Sequence, residues 1–526
     1  MILERFTILL TVCAAAYAST AAAADPVKPF EKGPVGPAAS EIDRLVFARL
    51  DALGIPPANL SSDAVFVRRA YLDIIGTLPT AGEARAFLAD KAANKRAVLI
   101  DQLLQRQEFV DYWAMKWGDV LRVKAEFPIN LWPNAVQAYD RWIRTSIRDN
   151  MPYDQFVRQM LTSNGSNFRV GPVNFYRAVQ SREPTALAAT VALTFMGERA
   201  DNWPSEKLDG MAAFFSRIDF KASGEWKEEI VRFDPDKAAG DGSTAPLVGI
   251  FPDGARASLT ADLDPREVFA DWLIDPKNPW FTRNIVNRIW AWLLGRGIIH
   301  EPDDIRPDNP PSNPELLAYL EKELIAAKYD LRHLYRIILN SQTYQLSAIP
   351  ASDKPQAEVN FVHYPLRRLE AEILIDALNQ ITGTTEKYSS AVPEPFTFIP
   401  EEQRSIELAD GSITSSFLEM FGRSSRDTGL VGERNNSPSA AQRLHLLNSS
   451  HIQKKIEQGP VVRAWSKSKR AVNAVIDEIY LTVLSRFPTD EERKTAQAYA
   501  KSVSRREAVI DLTWALINSA EFLYRH

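Results

Sequence analysis

The chain has 526 residues, 45% of them apolar and 25% charged, with a net charge of −5. That length exceeds what one hydrophobic core supports, so several domains are expected, and the composition excludes extended disorder. The balance of charge advertises no polyanion partner, so no nucleic-acid ligand is expected.

In chain order, Arg5 precedes the apolar run FTILLTVCAAAYA and the small-residue stretch STAAAAD. This reads as a secretory signal over residues 1–24, cut after Ala22-Ala23-Ala24. A retained anchor is the alternative, because Phe6 to Ala24 is just long enough to span, although Ala, Ser and Thr dilute it. Leu10 to Cys13 is also a poor lipoprotein box, with Val12 ill suited to the cut. The expected location is periplasmic, secreted or cell-surface, with no transmembrane span in the mature chain. Cys13 is the only cysteine. A processed chain would then hold no thiolate for covalent haem, iron–sulfur clusters or cysteine zinc sites. The 6 histidines all lie in the C-terminal half, so a metal in the first half would need oxygen ligands. No cofactor and no metal are expected.

Residues 25–39 are rich in Pro and Gly and predict an extended leader. From Ser40 the apolar positions Ile42, Leu45, Val46, Leu50 and Leu53 follow helical spacing, with Ser40 placed to cap. Helical patterns continue to about residue 223. Over 224–262, EEIVRFD and PLVGIF read as short strands around the loop DPDKAAGDGSTA. Helices resume over 263–526. The fold class is mainly α, two helical domains (40–223 and 263–526) with a small β insertion between them. One internal repeat is visible: YLDIIGTLPTAGE (71–83) matches YLTVLSRFPTDEE (480–492). Thr80 with Glu83, and Thr489 with Glu492, are spaced as capping boxes, so each copy predicts helix, Pro-terminated turn and helix.

FVRRAYLDIIGTLPT in the first half, and NIVNRIWAWLLGRGIIHEPDDIRPDNPPSNPELLAYLEKELIAAKYDLRHLYRIILNSQTYQLS with FVHYPLRRLEAEILIDALNQITG in the second, carry a resemblance. The chain is similar to secreted planctomycete-type proteins that pair a PSCyt-type domain with a PSD-type domain, both of unknown function. The resemblance implies two departures here. Relatives commonly carry C-x-x-C-H between a helix ending Phe-Leu-Gly and a later Trp; this chain keeps Phe195, Gly197 and Trp203 around a short Glu198–Asn202 connector. Relatives often show C-x-C where this chain has Leu430 and Gly432. The paired loss implies one thiol-dependent site in relatives, absent here, and disfavours a haem or redox role. Genomic association of relatives with sulfatase-like exported proteins implies a polysaccharide-processing context.

Two groups of residues are candidates for chemistry. Arg423, Arg426, Glu433 and Arg434 crowd one polar loop, the kind of cluster that binds carboxylate, sulfate or phosphate, or that forms structural ion pairs. Asn284 and Arg288 share a helix face, taken as solvated, and Asp303, Asp304 and Asp308 follow in an oxygen-rich loop with Glu301 and Asn309; Gly295 ends that helix. His445 and His451 are six apart, which on a continuous helix puts them on different faces. Trp113 and Trp117 are i,i+4 and read as core; one of Trp290 and Trp292 is expected to be exposed. The expected role is binding or assembly at the cell surface, with a sulfatase-like exported protein or an anionic glycan as partner. The alternative is a hydrolase using the 303–308 carboxylates or a hard metal, which requires that loop and the arginine loop to share one concave pocket.

Overall fold

The computed structural model describes residues 30–237 and 247–526. The expected signal, its cleavage site and Cys13 lie outside the described residues. The described part of the leader is tied down: Glu31–Gly33 pairs antiparallel with Leu60–Ser61, and Gln342 bonds the backbone of Gly36 and Pro37.

The fold is mainly α. Helix Glu41–Ala52 starts where Ser40 accepts from the Asp43 N–H and buries Ile42, Leu45, Val46 and Leu50. The repeat is structural. Its first copy is Asp63–Ile74, a turn and Ala81–Ala89; its second is Val472–Leu484, a turn and Asp490–Ser502. Both predicted capping boxes form, with the Thr side chain and the Glu side chain each satisfying the other's backbone N–H. Helices Ala81–Ala89 and Val472–Leu484 pack on each other, so the two copies meet across the whole length of the chain.

The β region begins earlier than expected. Ile218–Ala222 pairs with Glu229–Phe233, and Gly165–Ser166 adds to the other edge of that strand, giving an antiparallel three-stranded sheet. Leu247–Ile250 and Arg256–Leu259 form a separate hairpin. The sequence pattern located Glu229–Phe233 and Leu247–Ile250 but missed Arg256–Leu259, Ile218–Ala222 and the two residues recruited from 165–166, whose pairing is non-local.

Apolar burial does not stop at the β region. One contiguous cluster of buried side chains runs from Ile42 to Phe522. Polar contacts also cross it: Asp43 accepts from both the backbone N–H and the hydroxyl of Thr343 at 2.9 Å. Trp113 and Trp117 are in this core as expected; Trp290 is fully buried, and Trp292 is partly buried against Trp113 and Trp117. Trp292 is therefore no exposed stacking platform. Among the described residues no helix is long and apolar enough to cross a membrane.

Candidate functional site

The arginine loop is folded into the seam between the two halves. Arg434 lies between two carboxylates, 2.6 Å from Asp119 and 2.6 Å from Glu372. Arg426 donates to Asp119 at 2.9 Å and to the Ala409 carbonyl at 2.7 Å. Arg423 donates to the carbonyls of Ile413 and Asp410 and lies 3.4 Å from Glu372. Glu433 accepts from the N–H groups of Asp427 and Thr428 and so fastens its own loop. The network continues through Lys116–Glu370 to Arg525, which meets Asp73 at 2.9 Å; the hydroxyls of Tyr344 and Tyr364 also donate to Asp73. Burial pulls the Arg423 guanidinium down to about 10. Burial raises the Glu370 carboxyl, but Lys116, Arg525 and Arg434 outweigh it and hold the group well below the ordinary range. Every arginine of this loop has internal partners, so the cluster is a buried ion-pair network and not an open anion cradle.

The second candidate group divides. Asn284, Asn287 and Arg288 are all buried, which corrects the expected solvated face. Asn284 donates to the Thr194 carbonyl at 2.9 Å, and Arg288 pairs with buried Asp303 at 2.9 Å. The other oxygen of Asp303 accepts from the Val431 N–H at 2.7 Å. Asp304, partly buried, and exposed Asp308 flank Arg306. The carboxylates of this loop therefore do not converge. The loop does touch the arginine loop, as the hydrolase alternative requires, but it does so through a closed contact.

That contact also places the two cysteine-less segments. Gly197 ends its helix with a left-handed φ of +69°, where a Cβ would lie 2.8 Å from Ile305 and 2.9 Å from Asn284. Its carbonyl accepts from the Ile305 N–H at 2.9 Å. Val431, between Leu430 and Gly432, donates its N–H to Asp303, two residues before Ile305. The short 198–202 connector and the 430–432 segment thus abut one loop. Glu198 closes the connector, accepting from the indoles of Trp203 and Trp280. The short turn is a packed junction.

An open concavity lined mostly by polar residues lies elsewhere. A cleft of about 520 Å³ is lined by Asn130, Arg177, Arg182 and the turn 222–229. Arg182 makes a parallel two-point contact with Glu229, 2.9 Å on each arm, and Arg177 donates to the same carboxylate at 2.7 Å. Glu228 is held by the hydroxyls of Ser166 and Ser223. Trp226, at the tip of the turn, is 70% exposed. One carboxylate thus serves two guanidiniums in a cleft also lined by an exposed indole, with Lys227 Nζ 5.4 Å from its ring centroid.

Two family models match the chain: PSCyt2, a protein of unknown function (DUF1549), over residues 41–219, and PSD1, a protein of unknown function (DUF1553), over residues 265–500. The chain pairs a PSCyt domain with a PSD domain. No curated protein and no solved structure matches it. The ion-pair network is the seam of that pairing, with Lys116 and Asp119 on the PSCyt side and Glu370, Glu372 and the arginines on the PSD side. The cleft is assembled from PSCyt residues Arg177 and Arg182 and from the turn that follows the PSCyt match.

Within the PSD stretch the histidine geometry differs from expectation. The helix is not continuous: Ala440–Asn448 ends and Ser450–Gln458 begins around Ser449, which caps the second helix by accepting from the Ile452 N–H. The break brings His445 Nε2 to 3.3 Å from His451 Nδ1. The far nitrogen of His451 meets Glu386 at 2.9 Å, and Lys455 holds Glu386 at 3.0 Å. The sequence signal for this was Asn448-Ser449-Ser450, a stop followed by a cap. For the cleft the only local signal was a tryptophan among charges in GEWKEE.

Proposed function

We propose that this protein is an exported binding protein of the cell surface or periplasm, and that the cleft beside Trp226 takes an anionic saccharide. The observation that carries the reading is the cleft itself, lined by an exposed indole and by two arginines that share one carboxylate. A sugar ring offers an apolar C–H face to stack on an indole and a rim of hydroxyls for planar hydrogen-bonding groups. Arg177, Arg182 and Lys227 balance Glu225, Glu228 and Glu229 around the cleft, so an anion would be met by the exposed guanidinium of Arg182, whose planar fork suits a uronate or sulfate substituent, and not by a net positive field. The 303–308 carboxylates support the hydrolase alternative poorly, since Asp303 is closed in by Arg288 and Val431 and the other two are both taken up by Arg306. An assembly role beside a sulfatase-like exported protein is compatible with a saccharide-holding cleft.

The test is a titration of the full chain with sulfated and desulfated galactan oligosaccharides, read by calorimetry. The sulfated series should bind more tightly, and Trp226→Ala should weaken binding by about tenfold or more, the effect of truncating an anchoring aromatic. Equal affinity of the wild-type chain and Trp226→Ala for every oligosaccharide would remove the cleft from the account.

A further inference from the structure

The histidine pair carries an inference independent of the cleft. Two imidazole nitrogens, His445 Nε2 and His451 Nδ1, face each other at 3.3 Å, with ring centroids 5.5 Å apart. Two nitrogen ligands on a tetrahedral ion with bonds of about 2.0–2.1 Å stand about 3.3–3.4 Å apart. Glu386 lies on the opposite side of His451, 2.9 Å from Nε2. A proton on that nitrogen, donated to Glu386, leaves Nδ1 as a lone pair directed at His445. This is the outer carboxylate–imidazole arrangement that orients metal-binding histidines. Lys455, also bonded to Asn379 and the Thr385 carbonyl, fixes Glu386 in turn. Phe417 packs edge-on against both imidazoles and Phe421 against His445, limiting ring rotation.

We propose that His445 and His451 form a binding site for a borderline divalent transition-metal ion of the Zn²⁺ or Cu²⁺ class. Imidazole nitrogen selects these ions over Mg²⁺ and Ca²⁺. Among the described residues no group of three or more His, Cys, Asp and Glu is placed to hold a metal ion, so the protein supplies two ligands and solvent or a ligand oxygen supplies the rest. Glu386 is a positioning residue for His451 and does not touch the ion. The protein's own two ligands are both nitrogen, and no thiol is needed.

The test uses the tag-free full chain, stripped with chelator and titrated with ZnCl₂ by calorimetry and with CuCl₂ by electron paramagnetic resonance. One equivalent of metal should bind, with two-nitrogen hyperfine structure on the copper signal. His445→Gln and His451→Gln should each abolish that equivalent. Glu386→Gln should keep the stoichiometry and loosen affinity by about tenfold to a hundredfold. His333→Ala, remote from the pair, should bind as the parent does. Circular dichroism checks that each variant is folded, and His445→Phe, which matches the aromatic surroundings, replaces any that is not. Unchanged stoichiometry and affinity in both folded histidine variants, or parent binding no tighter than that of a variant carrying both His445→Gln and His451→Gln, would overturn the site.

Discussion

The seam and the cleft are both rich in arginine, yet only one leaves a guanidinium in reach of solvent. At the seam the side chains of Arg423, Arg426 and Arg434 are 4%, 1% and 8% exposed and lie against Asp119, Glu372 and backbone carbonyls. At the cleft Arg182 keeps 44% of its side chain exposed, although it too has a carboxylate partner. The difference is not the number of arginines. It is whether enough oxygen acceptors from distant parts of the chain close over them. Desolvated arginines need such partners, and those partners exclude a ligand.

The largest effect should come from removing a seam carboxylate. Among the described residues, Glu372→Ala leaves Arg434 with Asp119 as its one carboxylate partner and takes the only carboxylate contact from Arg423. Loss of one partner of a buried charge pair costs about 3–5 kcal/mol, so the urea midpoint should fall steeply while saccharide affinity of the folded chain is kept. A loss of saccharide binding at full stability would break the comparison, because the seam would then be a site.

Next in size is Gly197→Ala, at the junction of the cysteine-less segments. The left-handed φ and the contacts with Ile305 and Asn284 predict a loss of about 1–3 kcal/mol by chemical denaturation. No change would mean that the connector is looser than its geometry.

Asp376 gives a smaller effect that depends on pH. Burial raises its carboxyl to about 6, against the pull of Arg404 and the N–H groups of Ser405 and Ile406. A raised folded-state value means that this group's stabilisation is full below the unfolded value near 3.8 and is lost as pH rises through about 6. The melting temperature of Asp376→Asn should therefore gain on the parent's between pH 4.5 and 7.5. A constant offset would contradict the assignment. Smallest in stability is Trp226→Ala, expected within about 0.5 kcal/mol of the parent because its indole is exposed.

Local chemistry was legible in the sequence and distant pairing was not. Ser40, Thr80 and Thr489 cap helices as their spacing predicts, because a cap involves residues three apart. The strand Glu229–Phe233 was visible from its apolar pattern, but its edge partner Gly165–Ser166 was not. Asn284 and Arg288 shared a face as predicted. The face points inward because Thr194 and Asp303, on other segments, satisfy it. The arginine loop was visible as a cluster, whereas Asp119, some 300 positions earlier, decides what the cluster does. The cleft needed the turn 222–229 to fold over Arg177 and Arg182, and no local pattern announces that.

The most direct measurement is amide hydrogen exchange of the full chain with and without a sulfated galactan oligosaccharide at saturating concentration. The account predicts added protection over 222–229 and around Asn130 and Arg182, with the 423–434 loop unchanged. Added protection at 423–434 with none at 222–229 would contradict it.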